Sequence, residues 1–402
     1  MSSRYDVCII GAGLIGLSVG RALAEAYPGI SQVILEKEDE VGFHQSGHNS
    51  GVVHSGLYYK PGSLKARLCV EGRTELARFC DEQGVPFREP GKLVIATRAS
   101  ELEVLEELYR RGTENGLKGL RRLEAAEIKE FEPAAIGIAA LHVPEAGVVD
   151  FPMVAQKLAS TLRATGAEVL TGQRVAGISV ESSEARIQTA DREISAAVAV
   201  NCAGLHTDRV AAMAGVSSEI RIVPFRGEYY TLTEEAAGLV KSLIYPVPDP
   251  RFPFLGVHFT RRVDDKVEVG PNAVLALGRE HYRGTSPEWA DVREVLGVKG
   301  FRKLAMKHLW TGASEAIRSR SKTMYSSSAR ALVPDVRRQH LVAGGAGVRA
   351  QAVTPDGRLV DDFVIEEAGP TVHVLNAPSP GATSSLAIGR HIAGLVSSHF
   401  SG

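Results

Sequence analysis

The chain has 402 residues, 44% hydrophobic and 23% charged, enough for one or two globular domains with a sizeable core and unlike a disordered chain. Its 46 basic and 47 acidic side chains leave a formal net charge of -1, which argues against nucleic acid as a partner and against a global attraction to anionic membranes. No apolar run approaches the ~20 residues of a membrane span, and the apolar start is broken by Asp6 and three glycines, unlike a secretory leader.

Taken in chain order, Val7 to Ile10 read as a buried strand and Leu14 to Ala26 as a helix. The turn between them carries G-x-G-x-x-G as Gly11, Gly13 and Gly16. A second apolar strand, Gln32 to Leu35, ends at Glu36, twenty residues past Gly16, where an acidic side chain can hold a ribose hydroxyl. The unit predicts a dinucleotide cradle on a helix N-terminus and fits NAD and FAD equally. Cys8, Cys69, Cys80 and Cys202 lack metal-finger or C-x-x-C spacing and read as reduced core thiols, hence a cytoplasmic protein with no metal site.

The loop from His44 to Tyr59 holds three histidines, three serines and three glycines from His44 to Gly56, with Val52, Val53, Tyr58 and Tyr59 as apolar anchors. That texture suits a cofactor or substrate wall; a solvated loop is the plain alternative. Ser63 caps a helix from Leu64 to Gln83, stopped by Gly84. Gly91 to Thr97 reads as a strand, and Ser100 with Glu103 as a capping box for a helix from Glu101 to Asn115. A shorter helix covers Leu123 to Phe131, and Asp150 opens another with Pro152 in its first turn.

Strands are expected at Glu168 to Leu170, Arg174 to Val180, Arg186 to Thr189 and Ala197 to Asn201. The last runs into Cys202-Ala203-Gly204 and a helix from His206 to Met213, a second strand-glycine-helix junction. Alternating strands follow over Glu219 to Leu232, Phe254 to Arg262 and Lys266 to Gly270. Helices are expected over Pro287 to Leu296 and Gly300 to Ser319. The second is basic and carries Phe301, Leu304, Leu309 and Trp310, a pattern for a solvated face or for peripheral contact with a membrane. Gln339 to Ala343 reads as a short strand before a glycine-rich stretch, Thr371 to Leu375 as the last strand, and the final helix begins after Asn376-Ala-Pro-Ser-Pro-Gly-Ala-Thr-Ser-Ser.

Together the N-terminal fingerprint, the His44 to Tyr59 loop, Asn201-Cys-Ala-Gly, Pro224-Phe-Arg-Gly-Glu-Tyr-Tyr, Gly256-Val-His-Phe-Thr-Arg, Gly270-Pro-Asn-Ala and the segment from Asn376 resemble the L-2-hydroxyglutarate oxidase/dehydrogenase family. That family belongs to the FAD-dependent oxidoreductases of the D-amino-acid oxidase type. His48 stands where the family loop often has arginine. The resemblance implies FAD, with ADP held by Gly11, Gly13, Leu14, Ile15, Gly16, Glu36 and Lys37 and the isoalloxazine near Ser46, Asn49, Ser50 and Gly51. It implies further contacts from Val175, Ala203, Gly204 and Gly347. It also implies that a last helix entered through Ala382, Thr383, Ser384, Ser385 and Leu386 points its N-terminus at the flavin.

Oxidising a 2-hydroxy dicarboxylate requires a base for the hydroxyl proton and cations for the carboxylates. His54, before Ser55-Gly56, resembles the flavin-adjacent histidine of glycerol-3-phosphate enzymes, and His258 is the second candidate base. Arg349, in Gly347-Val-Arg-Ala-Gln-Ala-Val-Thr-Pro-Asp-Gly, resembles the carboxylate-binding arginine of glycine oxidases. Ala350 replaces their proline, and one extra residue precedes Thr354. Lys65, Arg226 and Tyr58 are candidates for the second carboxylate.

The expected fold is α/β: a Rossmann-like FAD-binding domain of the glutathione-reductase type from residues 1–85, 146–217 and 335–402. An inserted, mainly antiparallel α+β substrate domain would come from residues 86–145 and 218–334. Either a quinone or oxygen serves as acceptor, and oligomeric state leaves no trace in the sequence.

Overall fold

The computed structural model describes residues 3–181, 184–249, 256–284, 286–307 and 322–399. The first strand, Ser3–Ile10, is fully buried over Val7 to Ile9. It lies parallel between Gln32–Leu35 and Glu193–Asn201 in an eight-stranded sheet. Glu168–Leu170 extends that sheet beyond Gln32–Leu35, and Thr371–Asn376 joins the end of Glu193–Asn201, again in parallel. Ile10, Leu35 and Asn201 stand in register, so these parallel strands end together, where ligands bind in open sheets of this kind.

Helices Leu14–Ala26, Phe151–Ala164 and Ser385–Val396 supply apolar side chains to the same core cluster as Val7, Ile9, Val198 and Val200. Two glycines of the first turn are required by geometry. Gly11 has φ +106°, and a Cβ there would sit 2.6 Å from the Cys202 carbonyl oxygen. At Gly16 a Cβ would collide with the Gly11 carbonyl, so the helix sits on the turn as the fingerprint requires.

A nine-stranded sheet forms the second layer. Its strands are antiparallel except where Leu243–Pro246 runs parallel to Lys92–Ala96. Its longest pairing joins Arg221–Leu232 to Leu341–Val353. Here the structure corrects the expectation of a short strand at 339–343: thirteen residues form one antiparallel strand. Small side chains from Ala343 to Gly347 let it pass close to its neighbours, and at Gly347 a Cβ would sit 2.5 Å from the His48 carbonyl oxygen.

Smaller corrections concern local capping. The helix expected from Glu101 is Leu102–Glu114, preceded by a 3-10 turn, and the cap is formed by the Glu101 carboxylate at Arg98 instead of by Ser100 and Glu103. Glu101 accepts the Thr97 N–H at 2.7 Å and the Arg98 N–H at 3.3 Å, so it takes the back-reaching role expected of Glu103. The basic segment begins as Lys299–Lys307; the rest of it, with Leu309 and Trp310, lies outside the described residues, as does the start of the strand expected from Phe254. No helix among the described residues is long and apolar enough to cross a membrane.

Candidate active site

A cavity of about 840 Å³ runs from the glycine turn, past the His44 to Tyr59 loop, to the face of the nine-stranded sheet. At one end its wall includes Gly11, Gly13, Leu14, Ile15, Glu36 and Lys37, with Val175, Ala203 and Gly204. Gly16 is not in the wall; it serves the helix-turn contact. Glu36 accepts the Ala12 N–H at 3.0 Å and the Glu38 N–H at 3.1 Å. Burial raises its carboxyl above the ordinary value, partly offset by those two N–H groups.

Lys37 is committed to a cluster: its Nζ contacts Glu38, lies 2.6 Å from His44 Nε2 and 2.8 Å from Glu280 Oε1. Glu38, His44 and Glu280 converge as metal ligands would. The Lys37 ammonium sits among them and supplies the positive charge itself.

In the middle of the cavity, Ser46, Asn49 and Ser50 line the wall and Gly51 does not. Ser46 Oγ accepts the Leu14 N–H at 3.0 Å, closing one free donor of the first helix. Asn49 holds the loop's own backbone, accepting the Gly51 N–H at 2.8 Å and donating to the Gln45 and Ser46 carbonyls. Gln45 was missed by sequence reasoning. Its Oε1 accepts the Ala350 N–H at 2.9 Å, tying the loop to the long strand.

Ala382, Thr383 and Gly347 also face the cavity; Ser384, Ser385 and Leu386 are buried behind it. The Ser384 and Ser385 hydroxyls have no hydrogen-bond partner among the described residues, and the last helix starts at Ser385.

At the sheet end the structure brings together His54, His258, Arg349, Lys65 and Tyr58. The His54 ring is exposed only in part, and its Nε2 lies 3.3 Å from Ser379 Oγ while its buried Nδ1 has no partner among the described residues. Burial first, then the charge of Lys92, holds its conjugate acid well below the ordinary histidine value. His258 stacks on Tyr245 at 3.9 Å, its Nδ1 lies 2.8 Å from the Gly256 carbonyl oxygen, and burial pushes its pKa down to about 3. Both rings are therefore neutral at pH 7 and able to accept a proton. Lys65 donates to Asp361 Oδ1 and to the Asp361 carbonyl, each at 2.8 Å. The Tyr58 hydroxyl is buried with no partner among the described residues.

Arg226 is not brought to the cavity. It donates to the Gly284 carbonyl at 3.1 Å and pairs with Glu228 at 3.1 Å. Gly227 and Tyr229 face the cavity instead, because alternate residues of a strand point to opposite sides. Tyr229, Tyr245 and Tyr59 complete the wall. Tyr229 belongs to the same Pro224-Phe-Arg-Gly-Glu-Tyr-Tyr motif as Arg226, and the parity of the strand decides which of the two meets the cavity.

Comparison with known proteins places this geometry. A family model described as FAD dependent oxidoreductase matches residues 6–395. The chain is 49% identical over 386 residues to an L-2-hydroxyglutarate dehydrogenase of Indibacter alkaliphilus, covering 96% of this chain and 97% of that protein. To the mitochondrial L-2-hydroxyglutarate dehydrogenase of Homo sapiens it is 42% identical over 416 residues, covering 99% and 90%. In fold it is similar to an L-alpha-glycerophosphate oxidase from Mycoplasma pneumoniae with FAD bound, at TM-score 0.80 and 22% identity over 98% of this chain and 95% of that one. A glycine oxidase from Geobacillus kaustophilus gives TM-score 0.76 at 21% identity over 99% and 95%.

The residues present fit FAD. The backbone is bare at Gly11 and Gly13, an acid stands at Glu36, and Ala382 and Thr383, just before the last helix, line the wall.

Proposed function

The chain belongs to the FAD-dependent oxidoreductase family, grouping there with L-2-hydroxyglutarate dehydrogenases, and on that premise we propose that it oxidises L-2-hydroxyglutarate to 2-oxoglutarate. The observation that carries the reading is the meeting, in one cavity, of two neutral histidines, Arg349, and a dinucleotide-type glycine turn. FAD, when bound, supplies the acceptor for the hydride leaving C2, at flavin N5, and passes the electrons to a quinone or oxygen.

Arg349 holds the C1 carboxylate, next to C2, through its planar fork and so fixes C2. His54 takes the hydroxyl proton, with Ser379 orienting its ring, and His258 is the second candidate for that role. Tyr58, Lys65 and the aromatic wall enclose the rest of the chain and exclude water.

Residues 1–85, 146–217 and 335–402 form the FAD domain in this reading, and 86–145 with 218–334 the substrate domain. The strand Leu341–Val353 passes from the first into the sheet of the second. A quinone acceptor would bring the basic helix Lys299–Lys307, with its exposed Met306, to a membrane surface.

Anaerobic mixing tests the reading. Bleaching of the oxidised flavin by L-2-hydroxyglutarate, and not by glycine, D-amino acids or glycerol phosphate, is the expected result; bleaching by an amino acid alone would replace it with an amino-acid oxidase. For the cofactor end, Glu36→Ala is expected to loosen FAD by roughly tenfold or more, the worth of a hydrogen bond to a charged group. Flavin fluorescence on dilution reads that loss, and unchanged retention would remove Glu36 from the site.

A further inference from the structure

The strand Lys92–Ala96 is buried along its whole length. Its even-numbered residues Val94 and Ala96 join the apolar cluster of Leu243, Tyr245 and Val52. Lys92 shares that face by alternation. It is 1% exposed, and its ammonium lies 4.4 Å from the ring centre of Tyr245 and 5.1 Å from that of Tyr58. Among the described residues those rings and the Cys69 sulfur favour its charge, and no carboxylate acts on it.

Aromatic faces return only part of the hydration that an ammonium loses on burial. The charge is therefore left to act on whatever lies beyond the rings, and both rings line the cavity. His258 stacks on Tyr245 at an interplanar angle of 18°, so Tyr58, Tyr245 and His258 form one wall backed by a cation. Lys65, the cation of the neighbouring wall, is already matched by Asp361.

We propose that Lys92 is a specificity-determining positioning residue: its charge, acting across the Tyr58 and Tyr245 rings, selects ligands that carry a second carboxylate over those that end in a methyl group. The inference deepens the dicarboxylate reading above and rests on it.

Burial pushes the Lys92 pKa down to about 8, so the charge is present at pH 7 and lost above pH 8. The groups facing it are His54 and Tyr58 from the loop, Cys69 from the helix Leu64–Gln83, and Tyr245 and His258 from the neighbouring strands; the Lys65 charge acts on the same His54 and Cys69. Both histidines are held neutral, Tyr58 and Tyr245 are raised far above their ordinary values, and Cys69 is pushed up to about 12. Of these groups, Lys92 is the one whose pKa is moved into the interval between pH 7 and pH 9.5.

The test titrates the FAD-loaded protein with glutarate and with pentanoate, following the flavin absorbance. Neither acid has a 2-hydroxyl, so binding is read apart from turnover. Wild type at pH 7 is expected to bind glutarate about tenfold tighter than pentanoate, the scale of one added charge pair at intermediate dielectric. That preference should shrink to roughly threefold or less in Lys92→Met and in wild type at pH 9.5, with pentanoate affinity nearly constant. Because the variant removes a buried charge, it should melt no lower than wild type.

A glutarate preference that persists in Lys92→Met overturns the proposal. So does one unchanged in wild type between pH 7 and pH 9.5, whether or not the variant folds. If glutarate behaves as expected while L-2-hydroxyglutarate leaves the flavin oxidised, the substrate reading fails and the role of Lys92 stands.

Discussion

Arg349→Met is expected to weaken capture of L-2-hydroxyglutarate by roughly a hundred- to a thousand-fold, the range found when one partner of a buried, hydrogen-bonded charge pair is removed. The residue sits opposite Phe225 in a long antiparallel pairing, and the next N–H, of Ala350, is fixed by Gln45. The guanidinium is thus delivered from a rigid frame. Arg349→Lys keeps the charge and loses the fork, and should recover only part of the loss. The check is the substrate dependence of anaerobic flavin reduction: an unchanged half-saturation in Arg349→Met would remove the residue from carboxylate binding.

His54→Asn should act on a different constant. Losing a general base lowers the limiting rate of flavin reduction by about 10²- to 10⁴-fold. Half-saturation should stay within roughly threefold, because a neutral ring contributes little to holding a dianion. The pH dependence follows from the environment of the ring. A base works only when unprotonated, and burial with the nearby Lys92 charge holds the His54 conjugate acid well below its ordinary value. The limiting rate in wild type should therefore stay level as pH falls from 8 to 6.5 and decline only when it passes through that depressed value. A decline centred near 6.5 would contradict this setting of the ring. Full flavin reduction in a variant lacking both His54 and His258 would refute the assignment of either as base.

The parts of this molecule legible from sequence are those in which one residue type has one physical use. Gly11 and Gly16 stand where no Cβ fits, and Val7 to Ile10 can only be a strand buried on both faces. Arg226 shows the limit: its chemistry suited a carboxylate, and the alternation of its strand turned it to Glu228. Leu341–Val353 was hidden for another reason. Its run of glycine and alanine has low intrinsic strand preference, and only pairing with Arg221–Leu232 makes it extended. Lys92 carries no sequence signal of its place, since a lysine near the start of an apolar strand is ordinarily exposed. Only the fold shows that Leu243–Pro246 and Ala139–Val143 close over both its edges.

That long strand has a thermodynamic consequence. It brings Gly347 against the backbone of the His48 loop and, two residues on, presents Arg349 to the substrate end of the cavity. One rigid segment is thus shared by two binding sites, so any adjustment of it that one ligand requires is transmitted to the other. Linkage makes such coupling symmetric: whatever factor FAD adds to the affinity for a dicarboxylate, the dicarboxylate adds to the affinity for FAD. Substrate supply would then govern flavin retention as well as turnover.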